Sequence, residues 1–330
     1  MFLIKKLHYL LFGVLFFGLF SLTSCSNKDA DIISTVYPGY DFVKAVLGSD
    51  SSHTPGMLVK AGTEIHDFEP SAVNIHSIIN SKLFIYVGGE DDKVWVEEKI
   101  LPKVSESTKV ISMFDCLREA NVHLLGEEKP SSAEEEEEEE EDEAYDAHVW
   151  TSPKNAIIIT KAISKALIEI DPDMEEIYTK NTLKYVNELL NIDNEIKDIV
   201  SNAKNNFMVF GDRFPLLYFV KEYGINYDAA FTGCSSNRDA SSKVIIALTD
   251  EVMEKKLSYI FILEMSSSTV AKTIKDNIDK NIKSGSYSGP SVEVLTFYSM
   301  QNIEIKDFNK GLTYVDFMKK NIEALKLALN

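Results

Sequence analysis

Short apolar runs alternate with amphipathic stretches along most of the chain. The runs are bounded by glycine, proline or polar clusters and are typical of buried strands. They occupy residues 31–36, 56–59, 83–87, 110–114, 207–210, 227–231, 259–263 and 292–297. Helices are predicted between them, for example over residues 38–48, 70–81 and 215–223, where proline stands near each start. Strands that alternate with helices predict mainly parallel sheets covered by helices.

The middle of the chain has a different pattern. Residues 173–204 contain neither glycine nor proline, and apolar residues recur there at spacings of three and four. These are Leu183, Val186, Leu189, Ile192, Ile196 and Ile199. The pattern predicts one helix of about 45 Å, at about 1.5 Å per residue. We therefore expect an α/β protein with an N-terminal lobe (25–172), a linking backbone helix (173–204) and a C-terminal lobe (205–330).

The first 24 residues are typical of a signal peptide. Lys5 and Lys6 precede an apolar stretch over residues 7–22, and the sequence LTSC follows at 22–25. The stretch is shorter than the roughly 20 residues that span a bilayer. The end of this segment resembles a bacterial lipobox, which makes Cys25 the lipid attachment site after cleavage. The alternative is an ordinary signal peptide with a chance cysteine. Either way, the mature protein is expected on the extracytoplasmic face, periplasmic or at the cell surface.

The charge balance narrows the possible partners. The formal net charge is −18, and removal of Lys5 and Lys6 with the signal peptide brings it to −20. Such a protein is expected to avoid nucleic acid and to attract cations. Ten uninterrupted acidic residues stand at 134–143, so we expect a disordered loop over about 127–145. This loop is interpreted either as a solvated insertion without a task or as a weak cation collector.

Two histidine motifs are the candidates for chemistry. The first is GTEIHDFEP at residues 62–70, and the second is DAHVWTSP at residues 146–153. His66 and His148 both fall in links between predicted elements, where ligands of open α/β sheets bind. Two imidazoles that converge there favour a metal ion. The other histidines have no such surroundings and are interpreted as ordinary core or surface residues; they include His53, His76 and His123.

These motifs resemble those of the metal-binding lipoproteins of bacterial ABC importers for zinc and manganese, the cluster A-I solute-binding proteins. The resemblance covers nearly all of the mature chain, including Tyr37-Pro38, Trp95, the acidic loop and Tyr223-Gly224. It implies two (βα) lobes that hold one divalent cation between them, with His66 and His148 as ligands from the first lobe. It also implies a monomeric receptor, without catalysis, that delivers its metal to an ABC permease in the same membrane.

The second lobe departs from the family's pattern. The family usually places His or Glu at the end of the strand predicted here at 207–210, but this chain continues with Gly211 and Asp212. It also places Asp or Glu after the last strand, whereas residues 298–302 contain no carboxylate. Carboxylate ligands from this lobe must therefore come from other positions.

Two carboxylates at strand ends are the expected replacements. Asp212 and Glu264 each follow a predicted strand, so we expect them to complete the metal shell. The competing interpretations are that Asp212 pairs with Arg213 or Arg238, and that Glu264 caps the following helix. Further candidate ligands are Cys234, Ser299 and Gln301.

Two histidines and two carboxylates suit Zn²⁺ or Mn²⁺; zinc is favoured, and a Cys234 thiolate in the shell would strengthen that preference. One alternative function is a metal-dependent hydrolase with Glu64, Asp67 or Glu69 as base. Another is a siderophore or corrinoid receptor with a wide aromatic or basic cleft. The chain has no HExxH, GxSxG or phosphate-loop motif, which favours binding over catalysis. Cys116 and Cys234 form no CxxC pair and are interpreted as small buried side chains.

Overall fold

Two four-stranded parallel sheets form the two lobes of the molecule. The computed structural model describes residues 30–63, 68–132, 144–233, 240–301 and 303–330, so the signal segment and Cys25 lie outside it. The first sheet contains β1 (Ile32–Ser34), β2 (Pro55–Met57), β3 (Leu83–Tyr86) and β4 (Lys109–Ser112), in the order β2-β1-β3-β4. The second contains β5 (Phe207–Phe210), β6 (Asn226–Ala229), β7 (Tyr259–Leu263) and β8 (Glu293–Phe297), in the order β6-β5-β7-β8.

Helices cover both sheets and connect them. The first lobe has α1 (Tyr37–Leu47), α2 (Ala72–Ile79), α3 (Glu90–Asp92) and α4 (Met113–Glu119), and the connection has α5 (Pro153–Ile170) and α6 (Glu175–Ser201). The second lobe has α7 (Leu217–Tyr223), α8 (Ser242–Glu254), α9 (Thr269–Ser284), α10 (Ile305–Asn309) and α11 (Tyr314–Leu329). A π-helical turn at Lys93–Glu97 extends α3. Across the described ranges, none of the helices is both long and apolar enough to cross a bilayer.

The long linking helix is present where the apolar spacing predicts it. It is α6, with 27 residues, and the 3₁₀ turn Pro172–Met174 precedes it. At about 1.5 Å per residue it spans about 40 Å. Its buried positions include Tyr178, Leu189 and Ile196, and it packs against α1, α5 and α11. The helix is therefore part of the core of both lobes, and the predicted two-lobed α/β architecture is confirmed.

Two helices begin at residues other than the predicted ones, and their capping residues explain the difference. The second helix begins at Ala72 instead of Pro70, because Ser71 Oγ accepts the Asn74 N–H at 3.2 Å and Asn74 Oδ1 accepts the Ser71 N–H at 2.9 Å. Similarly, Ser112 Oγ accepts the Asp115 N–H at 3.2 Å and starts α4 directly after β4. Residues 113 and 114, predicted to end a strand, are therefore helical.

The lobes share one apolar core and several buried hydrogen bonds. A single cluster of buried side chains runs from α1 through α6 to the second sheet. The Tyr314 N–H donates to Asp41 Oδ2 at 2.9 Å, and the Gly62 N–H donates to the Ile303 carbonyl at 2.8 Å. Burial raises the pKa of the Asp41 carboxyl to about 6, although the Tyr314 N–H opposes that shift. These contacts fix the two lobes relative to each other.

The ends of the acidic segment are held in place. Residues 127–132 and 144–145 were expected within the disordered loop, but they make defined hydrogen bonds. The Glu127 N–H donates to the Ala144 carbonyl at 2.9 Å. Ser132 donates to Asp228 through its N–H at 3.0 Å and its hydroxyl at 2.6 Å. The acidic run at 134–143 lies outside the described residues, and Ser132, two residues before it, is hydrogen-bonded to the second lobe.

Candidate metal centre

Two of the candidate residues lie where the strand order of the second sheet changes direction, between β5 and β7. The carboxyl ends of neighbouring parallel strands diverge there and leave a crevice for ligands. Asp212 follows β5, and Glu264 follows β7. His148 comes from the connection that leads into α5.

His148 is held by a carboxylate on the same short segment. Its residue is 1% exposed, and its Nδ1 lies 3.1 Å from Asp146 Oδ1. The same Asp146 oxygen accepts the His148 backbone N–H at 2.7 Å. The carboxylate favours the tautomer with hydrogen on Nδ1, because a carboxylate only accepts. The Nε2 lone pair is then available, which is the usual arrangement of a metal-binding histidine and its carboxylate partner.

The second lobe approaches His148 through a loop. A Cβ atom placed on Gly233 would lie 3.7 Å from His148 Cε1 and 3.6 Å from Asp146 Oδ2. The carbon next to Nε2 therefore faces the second lobe. Cys234, the next residue and a candidate ligand, lies outside the described residues. The imidazole thus stands at the boundary between the lobes, where a metal ion could contact both.

The first histidine motif is described only at its ends. His66 itself lies outside the described residues. On one side, Gly62 is hydrogen-bonded across the lobes to Ile303. On the other side, the Phe68 ring contacts the Trp95 ring edge-on, with centroids 6.4 Å apart. Of the described residues that flank His66, Gly62 therefore contacts the second lobe and Phe68 packs within the first.

Gly211, the first residue after β5, stands where no side chain fits. A Cβ atom at this position would lie 2.7 Å from the backbone N and Cα of Ala271 in α9. Backbone atoms cannot move aside as a flexible side chain can, so no side chain fits. The Gly211 N–H also donates to the Phe261 carbonyl at 2.9 Å, which joins β5 to β7. A side-chain ligand is therefore excluded at position 211, because α9 packs against it.

Asp212 joins the ends of β5 and β7. Its Oδ1 accepts the Arg213 N–H at 2.8 Å, and its Oδ2 accepts the Leu263 N–H at 2.9 Å. The side chain is half-buried. A carboxylate offers about four lone-pair positions, so each oxygen can accept one more donor or a metal ion. Backbone N–H groups thus fix the orientation of the Asp212 carboxylate and leave some of its lone pairs free to bind.

Glu264 is a deeply buried carboxylate, 6% exposed. Its Oε2 accepts the Ser299 N–H at 2.8 Å, and its Oε1 accepts the Ser299 hydroxyl at 2.7 Å. Burial raises the pKa of this carboxyl to about 7, although the hydrogen bonds from Ser299 act in the opposite direction. The interpretation of Glu264 as a helix cap is wrong, because Ser268 is the N-cap of α9. Glu264 instead places its carboxylate beneath the loop after β8.

The remaining histidines and Cys116 make other contacts. His53 Nδ1 lies 2.7 Å from Asp31 Oδ2, near the start of β1. His76 and His123 are exposed. Cys116 is half-buried, and burial raises the pKa of its thiol to about 12, so it carries no thiolate near neutral pH. None of these residues adds to the candidate site.

The complete metal shell is not assembled from described residues alone. Within those ranges, no three His, Cys, Asp or Glu side chains are grouped so that they could hold a metal ion. His148, Asp212 and Glu264 all lie within those ranges and are not grouped in this way, while His66 and Cys234 lie outside them. The shell of His66, His148, Asp212 and Glu264 stays a prediction.

Two residues beside the site were not singled out from the sequence. Asp146 orients His148, and the Trp150 ring stands edge-on to its imidazole, with centroids 5.5 Å apart. Both belong to the second motif, and a carboxylate two residues before a histidine is a signal that could have identified Asp146.

Comparison with known proteins places the chain in a family. The model of the family described as zinc-uptake complex component A, periplasmic (ZnuA), matches residues 32–328. The chain belongs to the ZnuA family. The zinc-binding lipoprotein AdcA of Streptococcus pneumoniae R6 is 30% identical over 310 residues, which make up 92% of this chain and 58% of AdcA. The chain thus spans little more than half the length of that relative.

Other members and neighbours agree with this assignment. The high-affinity zinc uptake system protein ZnuA of Bacillus subtilis is 30% identical over 300 residues, covering 90% of this chain and 87% of the relative. The Zn(II)-bound ZnuA-like domain of S. pneumoniae AdcA has a TM-score of 0.69 at 27% identity, covering 91% and 99% of the two chains. A Mn-bound periplasmic protein of Candidatus Liberibacter asiaticus shares the fold, with a TM-score of 0.67 at 19% identity over 89% and 98% of the chains.

Proposed function

We propose that this member of the ZnuA family captures zinc outside the cytoplasm and delivers it to an ABC permease. The observation that carries the proposal is the buried His148 imidazole, which Asp146 orients and which faces the second lobe. The names of AdcA, a zinc-binding lipoprotein, and of B. subtilis ZnuA, a zinc uptake system protein, support zinc as the cargo. Manganese is the second candidate, since a Mn-bound protein shares the fold.

The proposed shell combines His66 and His148 with Asp212 and Glu264. The Nε2 of His148 is free to bind, and Asp212 keeps unused lone pairs while two backbone N–H groups fix its direction. The Ser299 N–H and hydroxyl hold the Glu264 carboxylate. Ligating carboxylates are commonly hydrogen-bonded in this way. Four protein ligands fill the usual tetrahedral coordination of zinc and leave no position for a reactive water. The proposal is therefore a receptor without catalysis.

The N-terminal segment supplies the proposed attachment to the membrane. Cys25 is proposed to carry the lipid, and the short polar stretch after it to act as a tether before β1. A monomer held in this way stays close to a permease in the same membrane. Mass spectrometry of the mature protein would show a lipid-modified Cys25 as its first residue. An unmodified N-terminus elsewhere would contradict this part of the proposal.

Metal content is the experiment that tests the function. The protein is purified without chelator and its metals are measured by elemental analysis, followed by competitive titration with Zn²⁺ and Mn²⁺. We expect one tightly bound equivalent of zinc and weaker binding of manganese, which stands below zinc in the general affinity order. The proposal fails if the protein binds both ions only as weakly as an exposed surface carboxylate does.

Substitutions in the second lobe test its two ligands separately. Asp212→Asn and Glu264→Gln keep the shape of each side chain and remove its charge. We expect each to weaken zinc binding at least about tenfold, the order of change expected for groups around a metal site. Asp115→Asn, an exposed change in the first lobe, serves as the control. If Cys234→Ser weakens binding and the carboxylate variants do not, the second lobe supplies a thiolate instead.

A further inference from the structure

The loop after β8 surrounds the Glu264 carboxylate with donors. Besides the Ser299 N–H and hydroxyl, the Met300 backbone N–H also stabilises the charged form of Glu264. Met300 is buried and has a φ of 60°, a left-handed conformation that non-glycine residues rarely adopt. Successive backbone N–H groups near a left-handed residue form a concave site for an anion. The loop is therefore shaped to hold this carboxylate.

The opposite side of the same loop contacts the first lobe. The Ser299 carbonyl accepts the Trp150 Nε1–H at 2.9 Å, and the Trp150 residue is 1% exposed. The Trp150 carbonyl in turn accepts the Tyr314 hydroxyl at 2.7 Å. Trp150 is thus hydrogen-bonded to the second lobe through both its side chain and its backbone. It also belongs to the 3₁₀ turn that begins directly after His148.

These contacts form a continuous path between the two candidate half-sites. It runs from Glu264 through Ser299 to Trp150, and the indole stands edge-on to the His148 imidazole. Every member is buried, so water does not compete for its hydrogen bonds. A metal held by both lobes needs its ligands placed within about 0.5 Å, because zinc bonds to nitrogen and oxygen are all about 2.0–2.2 Å.

We propose that Trp150 and Ser299 are positioning residues that hold the Glu264 carboxylate and the His148 imidazole at the separation required for one metal ion. Neither residue binds the metal in this role. The Trp150–Ser299 hydrogen bond sets the distance between the lobes, and the Ser299 hydroxyl sets the direction of the carboxylate. This inference rests on the proposed metal-binding function.

Trp150→Phe tests the interlobe hydrogen bond. Phenylalanine keeps an aromatic ring beside His148 and removes the Nε1–H donor. We expect zinc affinity to fall about tenfold, within the range of groups that orient metal ligands. The Co²⁺-substituted protein should also show a shifted visible absorption spectrum, because the coordination geometry changes. A loss of stability alone would not shift that spectrum.

Tyr178→Phe is the matched control. It removes a buried tyrosine hydroxyl that lies 2.9 Å from Ser51 Oγ, at the far end of the first lobe. We expect its zinc affinity and Co²⁺ spectrum to match those of the wild type, even if its melting temperature falls as much as that of Trp150→Phe.

Ser299→Ala tests the same path from the second lobe and serves if Trp150→Phe does not fold. It removes the hydroxyl on Glu264 and keeps the carbonyl that accepts from Trp150. We expect a similar loss of zinc affinity. In the double variant, Trp150→Phe with Ser299→Ala, the fold-loss of affinity should be smaller than the product of the two single fold-losses. Wild-type affinity and spectrum in both single variants would overturn the positioning role, while tight binding by the wild type keeps the receptor function. A wild-type protein that binds no zinc would overturn both.

Discussion

The two sides of the cleft present different donors but orient them in the same way. On the first-lobe side, a carboxylate, Asp146, orients the His148 imidazole. On the second-lobe side, backbone N–H groups orient the carboxylates of Asp212 and Glu264. In both cases a hydrogen-bonding partner fixes the orientation of the proposed ligand. The imidazole and the carboxylates of the proposed shell are thus oriented by the same kind of contact.

The two sides differ in how far apart along the chain the partners stand. Asp146 and His148 are two residues apart, whereas Asp212 and Leu263 are 51 apart and Glu264 and Ser299 are 35 apart. The first-lobe half-site is therefore a property of a short motif. The second-lobe half-site exists only after its parallel sheet has formed. A change in the sheet can alter the second half without touching the first.

A change of pH should alter zinc affinity the most, because it affects the proposed ligands of both lobes. A metal-binding imidazole must be neutral, and an ordinary histidine titrates near pH 6.5. Glu264 must be charged, and burial raises the pKa of its carboxyl to about 7. Protonation of the imidazoles and protonation of Glu264 both weaken zinc binding. The affinity should therefore reach its maximum above about pH 8 and decrease as the pH falls. Between pH 7.5 and 5 we expect a loss of more than about a hundredfold, since protonation of a carboxyl with a pKa of about 7 alone contributes about two powers of ten and protonation of the imidazoles adds to it.

Calorimetry in buffers of different ionisation enthalpy would count the protons that zinc displaces. Glu264→Gln should displace about one proton fewer than the wild type near pH 6. Affinity that stays constant from pH 7.5 to 5 would contradict ligation by histidine.

Removal of one first-lobe imidazole should have the next largest effect. His66→Ala or His148→Ala removes one of about four ligands that share a binding free energy of about 10–16 kcal/mol. We therefore expect zinc affinity to fall by about 100- to 1,000-fold, at about 1.4 kcal/mol per tenfold. Competitive titration with a zinc chelator measures this change. His76→Ala, an exposed histidine of the same lobe, should bind zinc as the wild type does.

Features that depend on residues close together in the chain could be predicted from the sequence, whereas contacts between distant residues could not. The alternation of strands and helices and the glycine-free stretch at 173–204 predicted the lobes and the linking helix, because these patterns are local. His148 stood out because its motif is contiguous. The packing that excludes a side chain at Gly211 could not be predicted from local sequence, because it involves Ala271 of α9, sixty residues later. Likewise, no local pattern links Glu264 to Ser299.

Asp146→Asn should weaken the first half-site without removing a ligand. The amide can still accept a hydrogen bond but no longer carries the charge that favours Nδ1–H on His148. Substitution of such partners typically reduces metal affinity about 10- to 100-fold. The effect should therefore be smaller than that of His148→Ala, and Asp115→Asn should have none. An Asp146→Asn variant with wild-type affinity would show that the imidazole is fixed by other contacts.

Deletion of the acidic run should have the smallest effect on the tight site. Residues 134–143 lie outside the described part, but their charge should raise the local cation concentration and speed association. We expect an unchanged dissociation constant, fewer weak metal equivalents and slower association at low salt. The difference should vanish near 0.1 M salt or above, where the Debye length is about 10 Å. Loss of tight binding on deletion would mean that the run itself contains ligands.

The coordination of zinc in the loaded protein tests the central claim most directly. X-ray absorption at the zinc edge, on protein with one equivalent of zinc, reports the kind and distance of each ligand atom. We predict nitrogen and oxygen neighbours at about 2.0–2.2 Å, with outer-shell scattering from two imidazole rings and no sulfur. The same spectrum of His148→Ala should show one imidazole fewer. A sulfur neighbour near 2.3 Å would mean that Cys234 binds the zinc in place of a second-lobe carboxylate. A spectrum without imidazole scattering would contradict the account.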